Sequence, residues 1–230
     1  PESLSTSYFT NSGAEAIEGA IKLAKRINKR SEIIYCKDSY HGSTHGALSV
    51  MGNEEYKSNY RPLLPNCNQI LYNNLESLEK ISEKTSAVIV ETIQGASGFI
   101  EASQDFLNQL KIKCIEFNVL IIFDEIQTCF GRTGKLFGFQ NTKIVPDILC
   151  IAKGMGGGFP IGAFISSWEN MNKLTHNPKL GHITTFGGHP VGCAASHATL
   201  DYILKNNIAD SINEKEIFFR RNKNRSWNDF

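Results

Sequence analysis

The 230-residue sequence contains no apolar run of the roughly 18 or more residues that a membrane-spanning helix requires. Its most apolar stretch, Val119 to Phe123, stops at Asp124 and Glu125. An excess of one charge is missing too: 24 Lys and Arg face 23 Asp and Glu, a net charge of +1, which removes the electrostatic signature of a nucleic-acid binder. The six cysteines, Cys36, Cys67, Cys114, Cys129, Cys150 and Cys193, form no C-x-x-C pair and no dense framework. Reduced thiols in a cytoplasmic compartment are expected. There is no internal repeat and no low-complexity linker. The start, Pro1-Glu2-Ser3-Leu4, has no initiating Met, basic n-region or apolar h-region, so the chain is expected to begin inside a longer protein. From Arg220 to Phe230 both helical and strand periodicity are lost, and 206–230 is expected to be the start of a truncated or aberrant C-terminal segment.

What is present is an ordinary globular composition, 41% hydrophobic and 10% aromatic, with chain enough for one large α/β domain over residues 1–205. Ile17, Ala20, Ile21 and Ala24 fall on one face of a helix opened by Ser12, with Glu15 three positions on in the capping-box arrangement. Gly13 and Gly19 lower its propensity. Buried strands are predicted at Ile33 to Cys36, Ala87 to Glu91, Val119 to Glu125, Ile148 to Ile151 and Ile161 to Ser166. Helices are predicted through Phe106 to Phe117 and from about Pro190 to Leu204. Strands apolar on both sides and separated by helices imply a mostly parallel sheet with helices on both faces. Such sheets gather ligands at the carboxyl ends of their strands.

That rule singles out Asp124 and Glu125 at the end of one strand and Glu91 at the end of another. The plainer alternative is that one acid of each cluster only caps a turn. Lys153 leaves a short strand into Gly154-Met155-Gly156-Gly157-Gly158, a backbone permissive enough for a cofactor to approach closely, with a plain glycine-rich turn and a solvated lysine as the alternative. The order of residues is the reverse of a phosphate loop, which places Lys after the second Gly and before Ser or Thr. Asn11-Ser12-Gly13-Ala14 opens a helix whose unpaired N–H groups suit an anion. His41 and His45 are four apart, as in a helical zinc pair, but no Glu follows the first His, and Gly42 and Ser43 disfavour helix. A structural role for His41 is the simpler reading, and no metal is expected.

Taken in order, these segments resemble the class III aminotransferases, the pyridoxal-phosphate enzymes that include ornithine, acetylornithine and 4-aminobutyrate aminotransferases. The resemblance runs from about Tyr8 to Leu204. It rests on Asn11-Ser12-Gly13-Ala14-Glu15-Ala16, Tyr40-His41-Gly42, Glu91-Thr92-Ile93-Gln94-Gly95, Phe123-Asp124-Glu125-Ile126-Gln127, Phe130-Gly131-Arg132-Thr133-Gly134, Ala152-Lys153-Gly154 and Thr184-Thr185-Phe186-Gly187-Gly188-His189-Pro190. It implies the large domain of a fold type I pyridoxal-phosphate enzyme. By that resemblance Lys153 forms a Schiff base with pyridoxal 5'-phosphate and shuttles the substrate proton, while Asp124 keeps the pyridine nitrogen protonated. Gln127 would bond the ring oxygen, Tyr40 would stack on the ring, and Ser12, Gly13 and Ala14 would hold the phosphate. Thr185 would reach the phosphate of a neighbouring subunit, which implies a homodimer. His41 and Glu91 are given a supporting, orienting role.

Two positions depart from the ornithine and acetylornithine pattern. Ala96 stands where a Glu usually follows Gln-Gly, and Ser43 where an Arg usually follows Tyr/Phe-His-Gly. A serine hydroxyl does not replace a bidentate guanidinium on a carboxylate. The family's N-terminal segment and C-terminal small domain are expected to lie outside these residues. The resemblance implies transfer of an amino group from an amino acid or ω-amino donor to a 2-oxo acid, with no nucleic acid or membrane partner. An aminomutase on the same scaffold, and a non-catalytic truncated remnant, are the alternatives.

Overall fold

The computed structural model describes residues 1–222. Nine strands occur among them: β1 (Thr6–Thr10), β2 (Glu32–Cys36), β3 (Cys67–Ile70), β4 (Thr85–Glu91), β5 (Ile93–Gln94), β6 (Ile100–Glu101), β7 (Leu120–Asp124), β8 (Ile148–Ile151) and β9 (Gly162–Ser166). The helices are α1 (Gly13–Asn28), α2 (His45–Ser49), α3 (Gln104–Glu116), α4 (Trp168–Asn172), α5 (Pro190–Lys205) and α6 (Ser211–Asn222), with short 3₁₀ turns between.

Seven strands form one sheet in the order β1-β9-β8-β7-β4-β2-β3. Only β9 runs against the others, antiparallel to both β8 and β1. The sheet is therefore mostly parallel, as the apolar strands imply, and β5 pairs with β6 in a separate small hairpin. Alternation along each strand divides the core. Val88 and Val90 of β4, with Ile121 and Phe123 of β7, face Phe106, Leu107 and Leu110 of α3. Ala87, Ile89 and Ile122 face Ile17, Ala20 and Ala24 of α1 on the other side. Every residue of β4 is buried, which is why its sequence is a continuous β-branched run rather than an alternation.

The start of α1 differs in detail from a capping box. Ser12 Oγ accepts from Glu15 N at 3.2 Å, but the Glu15 carboxylate turns to Asn11, accepting from its backbone N at 2.9 Å and its Nδ2 at 2.8 Å. At the other end of the chain, α6 continues three residues past Phe219, where an Arg220–Glu216 pair at 2.7 Å bridges one helical turn. The loss of helical character read at Arg220 is corrected to that extent; the tail reading for 223–230 lies outside the described residues. Among the described residues no helix is long and apolar enough to cross a membrane.

Gly19 shows why a weak helix former sits inside α1. A Cβ there would lie 2.2 Å from the Phe164 ring, which is itself fully buried and stacked on Tyr8 at 5.0 Å between centroids. Gly19→Ala is expected to lower the unfolding free energy by about 1–3 kcal/mol through overpacking, although alanine is the better helix former by about 1 kcal/mol. Urea unfolding measures this; an unchanged or raised midpoint would show that Phe164 can yield.

Candidate active site

The register of the parallel strands brings the acids together before any side chain is considered. Glu91 at the end of β4 pairs with Asp124 at the end of β7. Lys153 follows the end of β8, and the segment carrying Tyr40 and His41 follows β2. Because β9 alone is reversed, Thr10 at the end of β1 pairs with Gly162 at the start of β9, so Ser12 and the N-terminus of α1 rise at this same sheet edge.

These residues surround a cavity of about 460 Å³, lined on its sides by Gly13, Ala14, Tyr40, Gln127 and Lys153 and including Asp124. That is a common size for a small-molecule site. A smaller cavity of about 260 Å³ continues from it past Ser12, Gly13 and Lys153. Asp124 is 3% exposed, and both its oxygens are engaged: Oδ2 lies 2.7 Å from His41 Nδ1, and Oδ1 accepts from Ile126 N at 3.0 Å. Lys153 Nζ donates to Gln127 Oε1. Tyr40 stays 47% exposed, its hydroxyl 3.2 Å from Ser43 Oγ.

The acids have different tasks. Asp124 belongs to the cavity, while Glu125, next along the chain, is turned to the turn at residues 137–139 and accepts from Gly138 N and Phe139 N. The capping alternative thus describes Glu125. Burial pushes its carboxyl up to about 7, against the pull of those two amides. Glu91 accepts from Tyr40 N at 3.0 Å and Gly95 N at 3.3 Å, anchoring both walls of the cavity. Burial raises Glu91 well above the usual carboxylate range; His41 counteracts this and Asp124 adds to it. Burial opposes a charge on His41, but the hydrogen bond and charge of Asp124, with the charge of Glu91, leave its pKa raised. Among the described residues, His41 Nε2 is buried without a hydrogen-bond partner. His45 begins α2 and is exposed, so the two histidines do not converge.

The corner at the start of α1 is set by close packing. Gly13 lies so near Ile126 that a Cβ would come within 2.7 Å of its Cδ1, and Gly42, with φ +127°, approaches Ala14 equally closely. The amides of Gly13 and Ala14 precede the first intrahelical bonds of α1 and remain available to an anion. Ser12 Oγ caps the helix. Thr185 is exposed and does not line the cavity; its neighbour Thr184 accepts from Asn11 Nδ2 at 2.9 Å. Both departures noted in the sequence, Ser43 and Ala96, line the cavity wall.

One contributor has no obvious sequence signal. Glu18, on the first turns of α1, accepts through a single oxygen from Thr44 Oγ1 at 2.6 Å, Gly46 N at 2.8 Å and Ala47 N at 3.2 Å. It fastens the segment that carries Tyr40 and His41 to the helix that carries the anion corner. Only tertiary structure brings these groups together, 26 to 29 positions apart.

A family model described as aminotransferase class-III matches residues 1–226. The chain belongs to the class-III aminotransferase family. It is 42% identical over 220 residues to the acetylornithine aminotransferase of Caldanaerobacter subterraneus subsp. tengcongensis, covering 93% of this chain and 55% of that protein. It is 43% identical over 215 residues to a LysW-aminoadipate semialdehyde/glutamate semialdehyde transaminase of Sulfolobus acidocaldarius, covering 94% and 55%. The chain thus spans about half the length of the curated relatives it matches. Among solved structures, the ornithine aminotransferase of Toxoplasma gondii, with partial occupancy of PLP at its active site, superposes with a TM-score of 0.88 at 30% identity, over 95% of this chain and 53% of that one. A thermostable (S)-enantioselective omega-transaminase of Thermomicrobium roseum gives 0.86 at 31%, over 92% and 54%. These neighbours bear out the fold class drawn from the apolar strands.

Two outcomes follow for this member of the class-III family. Below the ordinary Glu value of 4.5 both folded and unfolded chains hold the Glu125 proton; from there to about 7 only the folded chain does. Stability from this group therefore falls as pH rises through that window. Glu125→Gln should flatten the fall, read as the slope of unfolding free energy against pH; an unaltered slope would contradict it. Glu18→Ala should expose the Gly46 and Ala47 amides, losing about 1–3 kcal/mol of local protection in hydrogen exchange; full protection in the variant would show the clamp to be idle.

Proposed function

We propose that the protein to which this chain belongs moves an amino group from an amino acid or ω-amino donor to a 2-oxo acid, with pyridoxal 5'-phosphate held in the 460 Å³ cavity. The observation that carries this reading is a lysine and a buried carboxylate opening on one cavity beside a helix N-terminus. The donor set fits the cofactor: an amine, an acid anchored by two donors, an amide side chain, and an anion corner that a Cβ at Gly13 would fill. When bound, the cofactor supplies an aldehyde for amine chemistry and a pyridine ring that accepts electrons.

The chain's own residues divide the remaining work. Lys153 Nζ is the amine that engages the cofactor and the base that takes and returns the substrate's proton. Asp124 holds a proton on the ring nitrogen, its carboxylate fixed by His41 and Ile126 N. Ser12, Gly13 and Ala14 hold the phosphate, Gln127 the ring oxygen, and Tyr40 a ring face. His41 and Glu91 orient these groups.

Residues 1–205 make up the cofactor-binding large domain in this reading, and 206–230 start the segment that follows it. The working unit is a homodimer in which Thr185 reaches the neighbouring subunit's phosphate. Six free cysteines agree with a cytoplasmic setting. The names of the relatives support an ω-amino donor, and the uncharged Ser43 and Ala96 on the wall leave its far end without a charged partner at those two places.

Incubation of the chain with pyridoxal phosphate, dialysis, borohydride reduction and peptide mapping test the assignment. A retained yellow band and a pyridoxyl label on Lys153 are expected, with both lost in Lys153→Ala. A label on another lysine, or retention by the variant, would overturn it.

A further inference from the structure

A second cavity, of about 1110 Å³, opens at the opposite end of the sheet. Its position is fixed by Arg30, whose Nη1 donates to Thr85 O at 3.0 Å, at the start of β4, and to Phe117 O at 2.7 Å, just after α3. Six permanent cations, Lys25, Arg26, Lys29, Arg30, Lys84 and Lys173, line it against one carboxylate, Glu169. None of the six joins an ion pair among the described residues. In a chain whose net charge is only +1, this is a concentrated positive field.

We propose that this cavity binds a polyphosphate anion. A solvated helix face does not account for the arrangement, because the cations converge from separate places: the last turn of α1, the residues just after it, the turn before β4, and the end of α4. Lys25 and Arg26 offset the negative end of the α1 dipole. That leaves Lys29, Arg30, Lys84 and Lys173 without such a purpose. The two guanidinium groups are immobilised by backbone carbonyls, Arg26 Nε on Lys173 O at 3.2 Å and Arg30 as above. Carbonyl oxygens satisfy N–H groups but leave the full charge in place, so a fixed positive wall stands beside lysines whose ammonium groups make no hydrogen bond among the described residues. Ammonium groups with three free donors each suit phosphate oxygens. Six cations against one acid ask for several negative charges on one ligand, more than a single phosphate carries.

Calorimetric titration of the full chain with inorganic tripolyphosphate, after saturation with pyridoxal phosphate to occupy the first cavity, tests this. One site per chain is expected, weakening steeply as salt is added. The double variant Lys29→Gln, Lys84→Gln should weaken it by about tenfold or more, whereas Lys111→Gln, Lys215→Gln, with the same change in net charge, should not. Both altered lysines at the cavity are exposed, so folding is expected to persist, with circular dichroism as the check. Tighter binding of a nucleoside triphosphate than of tripolyphosphate would assign a nucleotide; equal binding would assign the bare phosphate chain. No binding, or equal weakening in both double variants, would overturn the proposal.

Discussion

Everything at the carboxyl edge of the sheet is organised around the contact between His41 Nδ1 and Asp124 Oδ2, 2.7 Å apart and all but excluded from water. It joins the segment after β2 to the end of β7 across the intervening strand β4, so two walls of the cavity are tied together. A buried carboxylate without donors costs several kcal/mol. His41 on one oxygen and Ile126 N on the other remove much of that penalty and leave the group aimed rather than free to rotate. Glu91 lies beside Asp124 because the register demands it, and two like charges in low dielectric oppose each other. Burial does most to raise Glu91, with the charge of Asp124 adding to it, while Asp124 and Glu91 together raise His41 against its own burial.

The same economy of donors separates the consecutive acids. In a strand, neighbouring side chains point to opposite faces. Asp124 closes β7, and the chain bends at once, so Glu125 is carried away from the cavity toward amides at 138 and 139. One acid faces the cavity while its neighbour holds the return of the chain.

This contrast shows what a sequence can and cannot convey. Strands β2, β4, β7 and β8 were legible because burial on both faces forces continuous apolar runs, and α1, α3 and α5 because their periodicity survives a glycine or two. Strand β1, Thr6–Thr10, carries no such run: it lies at the sheet edge and is half exposed. The reversal of β9 was equally invisible, since a strand's direction depends on the path of the chain and leaves no mark on its residues. At the cavity, the strand-end rule led to Asp124 and Lys153 but had no means of sorting Asp124 from Glu125. Glu18 escaped altogether, because a carboxylate on an amphipathic helix looks solvated until the tertiary fold brings three donors to it.

Lys153 shows how local strain is held by packing. Its φ of +51° is a left-handed conformation that a long side chain adopts at a cost of about 1–3 kcal/mol. The glycines after it do not relieve that cost; Gly157 and Gly158 have positive φ of their own and carry the turn onward. Helix α5 supplies the restraint. Thr199 sits so close to Gly157 that a Cβ there would lie 2.4 Å from its hydroxyl, and Gly192 packs toward Phe159 and Ile161. A backbone kept in an unfavourable well by a helix behind it is a backbone with one geometry. The consequence falls on Nζ, which donates to Gln127 on the cavity wall while the lysine itself stays exposed. Strain at this position therefore serves the same end as the His41 contact on the opposite wall: each removes a degree of freedom from a group whose chemistry depends on where it points.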